Sequence, residues 1–279
     1  MAVRGFKNMV FFNSGVAPTY YPVDLYNLLV YNAVGTVGSA SSTRNIRLRN
    51  DSTNAEQDFL YDGTAAGKTA ILTWLNGAMA EVVTLYNEGT GGSTYDLTQS
   101  NPARQPVLNT TTWLLDYNAN LNVYLQTAFT SNTPILGADS TTIASFKTQN
   151  TLKYSGYFEE YQNNGRYVAI MSDTNSSLST ALDYRLGGLT QVKYSSQLAM
   201  NIDKVMTLVY DNGVYSISDE NGLIGTTTLV SPYTGNVRLN LGFSTRDNNQ
   251  FRGFGKGIIA HNGLLSASIM DELEQFIKI

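Results

Sequence analysis

The stretch Lys204–Leu229, KVMTLVYDNGVYSISDENGLIGTTTL, decides the fold. It holds three β-type runs separated by Asp211-Asn212-Gly213 and Glu220-Asn221-Gly222. Asn-Gly supplies the positive φ angles that a tight hairpin turn requires, so the segment predicts an antiparallel meander. Val205, Thr207 and Val209, then Val214, Ser216 and Ser218, alternate with period two, as strands do. Beyond it, NVRLNLGFS predicts another strand, with Val237, Leu239 and Leu241 on one face. The last stretch, FRGFGKGIIAHNGLLSASIMDELEQFIKI, reads as a strand followed by an amphipathic helix. Ser266 or Ser268 is its candidate N-cap, and Ile269, Leu273, Phe276 and Ile277 recur at helical spacing.

Composition agrees with a β protein. The chain has 279 residues, 42% of them hydrophobic, which is enough for a large core in one domain. Only 14% is charged, while 18 Tyr and 24 Gly fit strands joined by tight turns. The absence of cysteine excludes a disulfide framework and agrees with folding in a reducing cytosol. MAVRGFKNMVFFNSG has no apolar run of signal-peptide length, and no stretch approaches transmembrane length. A net charge of −4 with scattered basic residues argues against nucleic acid as a partner.

Arg44–Pro106 forms an ordered set of parts. RNIRLRNDSTNAEQDFLYDG sets Ile46 and Leu48 between Arg44, Arg47 and Arg49, followed by a polar turn and then Phe59 and Tyr61. AAGKTAILTWLNG reads as a short helix, EVVTLYNEGTGG as a β-type run, and YDLTQSNPARQP follows. This order resembles the catalytic domain of the fungal α-L-arabinofuranosidase B family and its LamG-like, concanavalin A-like relatives. They share a strand with basic residues and N-A-x-Q-D, a helix, a W/Y-D-Q-S-G-N-G loop and an L-T-Q…Q-P tail. Here Leu85–Gly91 stands in the loop, and Leu97-Thr98-Gln99 with Gln105-Pro106 in the tail. The resemblance implies an all-β, two-sheet antiparallel jelly-roll sandwich over residues 43–279, with a short helix near 65–76 and a C-terminal helix near 267–277. Residues 1–42 are expected to be an N-terminal strand or arm and loop. They either complete the sandwich in cis or pack on a neighbouring subunit.

A retaining glycosidase needs two carboxyl groups about 5 Å apart. The family's acid/base Asp precedes the closing strand, where this chain has Arg246-Asp247-Asn248-Asn249, making Asp247 its counterpart. Arg246 beside it favours the ionised form, which does not suit a general acid. The nucleophile strand corresponds to Ala181–Gly187, with Arg185 where the Glu is expected. The alternatives, Glu159 and Glu160, are adjacent, so at most one of them can face a cleft. The family's vicinal Cys-Cys pair is missing. We therefore expect no catalysis. If the chain is a hydrolase, it acts through Asp247 with Glu159 or Glu160.

One histidine and no cysteine exclude an ordinary zinc site, and His261 is expected as a surface turn residue. Calcium is the one cofactor candidate, at Asp173 and Asn175 or at Asp247 and Asn248. For glycan binding the candidates are Tyr154, Tyr157, Tyr161, Asn163, Asp247 and Asn248. The same tyrosines equally suit half-buried strands or a subunit contact. Cysteine-free LamG-like domains resemble virion components of phages and large DNA viruses. The functional expectation is thus a non-catalytic virion structural protein, made in the host cytoplasm. It would be homo-oligomeric, with other virion proteins and a host surface glycan as partners. A carbohydrate-binding adhesin or an arabinofuranosidase-like hydrolase are the alternatives.

Overall fold

The computed structural model describes residues 28–32, 44–61, 64–87, 93–118, 122–127, 139–149, 156–162, 167–173, 181–186, 190–193, 202–228, 237–244 and 249–278. In chain order the elements are β1 (Leu28–Asn32), β2 (Ile46–Asn50), β3 (Glu56–Phe59), α1 (Ala65–Leu75), β4 (Ala80–Leu85) and β5 (Leu97–Thr98). Then come β6 (Val107–Asn109), β7 (Leu114–Asp116), β8 (Leu125–Gln126), β9 (Ser140–Thr148), β10 (Gly156–Gln162), β11 (Tyr167–Asp173) and β12 (Ala181–Leu186). The rest are β13 (Thr190–Lys193), β14 (Asp203–Asp211), β15 (Val214–Asp219), β16 (Gly222–Thr228), β17 (Val237–Leu241), β18 (Phe243–Ser244), β19 (Asn249–Gln250), β20 (Gly253–Asn262) and α2 (Ala267–Lys278).

Antiparallel pairing sorts the strands into two layers, giving the all-β sandwich expected from the sequence. The first sheet runs β1-β20-β9-β14-β15-β16. The second runs β3-β2-β4-β5-β8-β17-β10-β11-β12-β13. The β6–β7 hairpin bridges β4 to β20 and joins the layers along one side. Of residues 1–42, those described form β1, which pairs with β20 of the same chain, Leu28 opposite His261.

The Asn212-Gly213 hairpin joins β14 to β15, and both turn residues have positive φ, 44° and 84°, as a primed turn demands. Helix α1 starts at Thr64, whose side chain accepts from the Gly67 N–H, and stops at Asn76 in the left-handed region. Ser266 is the cap of α2, its hydroxyl accepting from the Ile269 N–H at 3.4 Å.

Between the sheets, Ile46, Leu48, Leu85, Leu97, Leu125, Leu239, Leu241 and Phe158 of the second sheet meet Phe146, Met206, Leu208 and Ile258 of the first. Tyr157 spans the gap, its hydroxyl donating to the Ser145 carbonyl at 3.0 Å. Its ring packs on Phe146 and Phe251 and stands edge-on to Tyr117. Gly242, at φ +90°, leaves room for the Tyr117 ring, which a Cβ there would strike.

On the outside of the first sheet, Ile143, Val205 and Ile259 pack beneath Leu265, Leu273 and Ile277. Thr207 on the same outer face hydrogen-bonds Glu274 of α2. His261 is a correction to the surface turn expected: it sits in β20, buried, with Nδ1 3.0 Å from the Gly263 carbonyl. Two residues after Ile259, it falls on the outer face of the sheet, where Gly263, held by the Thr141 hydroxyl at 3.2 Å, lies against its ring.

Candidate functional site

The outer face of the second sheet is built differently. Because directly paired residues share a face, the register fixes which side chains stand together. Asp58 pairs with Arg47, Arg47 with Thr84, and Thr84 with Thr98. Thr98 pairs with Gln126, Gln126 with Asn240, and Asn240 with Glu159. Seven strands thus contribute one polar residue each to a single row. The neighbouring row on the opposite face begins with Phe59, Ile46, Leu85 and Leu97, all in the core, and ends in Leu239 paired with the buried Glu160. Alternation along each strand therefore separates an apolar interior from a polar exterior.

At the β17–β10 end, Asn240 Nδ2 donates to Glu159 Oε2 at 2.8 Å. Both residues are buried, at 1% and 0% exposure, so they are the floor of the face rather than its rim. Asn240 Oδ1 is also buried and has no hydrogen-bond partner among the described residues. Two residues along the same strands, Arg238 and Tyr161 are paired with each other and half-buried. The guanidinium lies 5.7 Å from the Tyr161 ring centre. Burial lowers the Arg238 pKa, and the nearby Glu159, Tyr124 and Tyr161 act against that shift. The Tyr124 ring packs against Phe243 at 5.2 Å.

At the β3–β2 end, Asp58 gathers three donors. Arg44 Nη1 is at 2.8 Å, Arg47 Nε at 2.7 Å and the Tyr86 hydroxyl at 2.8 Å. The bond from Arg47, with those from Tyr86 and Arg44, holds the carboxyl well below the usual range against a smaller opposing effect of burial. Burial, and then the bond to Asp58, push the Tyr86 phenol up to about 12. Arg44 lies over the Tyr86 ring at 4.1 Å. Between the two ends, Thr98 is exposed and Gln126 half-buried.

The residues singled out from the sequence divide. Glu159 belongs to the outer floor. Glu160 instead pairs with Leu239, falls on the core-facing row and is buried. The two carboxyls therefore do not share a cleft, as strand alternation requires. Tyr161 lies on the polar face. Tyr157, expected as a glycan-facing residue, is corrected to a core residue with no exposure. The register shift between Gly156 and Phe158 turns its ring toward the first sheet. Asp173 is the last residue of β11. Tyr154, Asn163, Asn175, Asp247 and Asn248 lie outside the described residues. Among the described residues no group of three or more His, Cys, Asp or Glu is placed to hold a metal.

Sequence reasoning passed over Asn240, Arg238, Gln126 and Thr98. For the first two a signal existed: they alternate with Val237, Leu239 and Leu241, so placing those on the core put Arg238 and Asn240 outside. Gln126 and Thr98 sit in two-residue strands, too short for any period.

No family model matches the chain. No curated protein matches it in sequence either. Solved structures do resemble it. A GH54 α-L-arabinofuranosidase soaked with a cyclic sulfate inhibitor superposes with a TM-score of 0.66 at 11% identity, over 89% of this chain and 62% of that one. An arabinofuranosidase complexed with arabinofuranosyl-α-1,2-xylobiose gives 0.65 at 11% identity, over 89% and 61%. A Trypanosoma rangeli sialidase complexed with the inhibitor DANA gives 0.52 at 13%, over 71% of this chain and 32% of that one. The chain thus spans about three fifths of the length of the two arabinofuranosidases. At these identities the likeness is one of fold alone, a β-sandwich.

Proposed function

We propose that this chain is a carbohydrate-binding β-sandwich protein whose binding face is the outer face of the second sheet, centred on Asn240 and Glu159. The observation that carries this is Asn240: a buried amide whose Nδ2 is committed to Glu159 while Oδ1, itself buried, has no hydrogen-bond partner among the described residues. A buried acceptor without a donor is costly, and a ligand hydroxyl satisfies it. Arg238 supplies donors beside it, and Tyr161 and Tyr124 supply apolar rings with polar tips. Those are the groups a sugar needs, with hydroxyls to pair and CH faces to cover. The resemblance to structures complexed with arabinofuranosyl-α-1,2-xylobiose and with DANA supports this choice of ligand class.

Binding without hydrolysis is the reading we adopt. A retaining glycosidase needs a second carboxyl about 5 Å from the first. Of the acidic residues in or beside the row, Glu160 faces the core, Asp58 stands six strands along it, bound to two arginines, and Asp96, two residues before Thr98, accepts from the Asn87 N–H at 2.9 Å. A hydrolase using Glu159 and Asp247 would release 4-nitrophenol from an arabinofuranoside, and Glu159→Gln would abolish that release. We expect none from the wild type.

A glycan array with the full chain tests the main proposal. Saturable binding to at least one glycan is expected, weakened tenfold or more by Asn240→Ala in a variant that keeps its β-type circular dichroism, by analogy with the ~1–3 kcal/mol that hydrogen bonds to buried groups carry. An array that stays flat at millimolar sensitivity overturns it. The wider setting we propose is a virus particle, supported by the cysteine-free composition and the sequence resemblance. Light scattering on the purified chain tests its expected homo-oligomer. A monomer absent from any particle would remove that setting and leave the binding face intact.

A further inference from the structure

We propose that the polar face takes an extended, uncharged polysaccharide chain several sugar units long, laid across the strands, rather than a single terminal sugar. This rests on the carbohydrate reading above and adds ligand length and charge to it.

The length comes from the register. The row from Asp58 to Glu159 crosses seven hydrogen-bonded strands without a break. Six steps at about 4.8 Å each make a row about 29 Å long. A pocket for one sugar would use two or three of those strands. Rings flank the row at intervals. Tyr86 follows Thr84 by two residues and reaches Asp58. Tyr124 precedes Gln126 by two, and Tyr161 follows Glu159 by two. All three are half-buried. The row thus offers a tyrosine beside β4, β8 and β10, which a linear chain can meet in succession and one sugar cannot.

The charge comes from what each end has already neutralised. Asp58 is matched by Arg44 and Arg47, and Glu159 is bonded by Asn240 with Arg238 nearby. Between them the accessible members of the row, Thr98 and Gln126, carry a hydroxyl and an amide, beside the buried Thr84 and Asn240. Neutral donors and acceptors suit a neutral hydroxylated chain, whereas a polyanion would find no run of unmatched cations along the row. The buried, unpartnered Oδ1 of Asn240 lies in the floor of the row.

Titration calorimetry on the full chain tests this with arabino-, xylo- and cello-oligosaccharides of one to six units, and with oligogalacturonates as the acidic comparison. In at least one neutral ladder, affinity is expected to rise about tenfold or more from one unit to four, as further hydrogen bonds are made. The double variant Thr98→Ala/Gln126→Ala, altered only at the accessible middle of the row, should lose most of that gain, so that its affinity for four units falls close to its affinity for one. Equal affinity for one and six units overturns the extended site and leaves the carbohydrate reading standing. Tighter binding of the galacturonates overturns the neutral ligand. No binding in any ladder, together with a flat array, overturns both readings.

Discussion

The two outer faces of this sandwich start from the same period-two alternation and end in opposite states. On the first sheet, Ile143, Val205 and Ile259 are apolar and α2 covers them, so its central strands are buried on both sides. On the second, the outward positions are Arg47, Thr84, Thr98, Gln126, Asn240 and Glu159, and Thr98 in the middle is open to solvent. An apolar outer face must find a cover, and the chain supplies its own in α2. A polar outer face needs none, and stays available to a ligand. Asn240 and Glu159 complicate the contrast, since they are as buried as the core and still belong to the polar side.

The largest effect should come from the covered face. Leu273→Ala leaves a cavity between α2 and the sheet and is expected to cost about 2–5 kcal/mol in urea unfolding. A value near zero would mean that α2 is ornamental and that the two faces are alike. Next is Asn240→Ala, which deprives the buried Glu159 carboxyl of a donor. About 1–3 kcal/mol of stability should go with it, showing that one column of the polar face behaves like a core.

A smaller change, under about 1 kcal/mol at pH 7, is expected for Asp58→Asn, because its partners Arg44 and Arg47 are partly exposed and screened. The folded pKa of Asp58 lies below the ordinary value near ~3.9. Its contribution is therefore complete above about pH 4 and fades as pH falls toward the folded value. Wild type and variant should converge in acid unfolding, and a gap that widens on acidification would contradict the ion cluster. Last is Thr98→Ala, an exposed change in the middle of the row, expected within about 0.5 kcal/mol of wild type. A large loss there would mean that the face is packed rather than open.

Much of the architecture could be read locally. The Asn212-Gly213 turn, the cap at Ser266, and the apolar set Val237, Leu239 and Leu241 are short-range signals, and each appears where expected. The alternation of Val205, Thr207 and Val209 was harder to use, because Met206, Leu208 and Tyr210 between them are buried too. That strand lies between the core and α2, and burial on both sides erases the polar–apolar contrast on which period-two reading depends. The candidate site was less legible. Glu159, Glu160, Tyr157 and Tyr161 were visible as a cluster of useful side chains, yet a one-residue irregularity near Gly156 sets which of them face outward.

The sequence by itself determined that this is an all-β chain with two helices, where its turns fall, and that it folds without disulfides. Those properties rest on backbone preferences of neighbouring residues and on composition. Only the tertiary structure decided that Asp58, Arg47, Thr84, Thr98, Gln126, Asn240 and Glu159 stand in one row. Register between strands distant in the chain is set by which hydrogen-bonded pairing buries all the apolar faces together. A slip of one residue in any strand would send its polar member into the core.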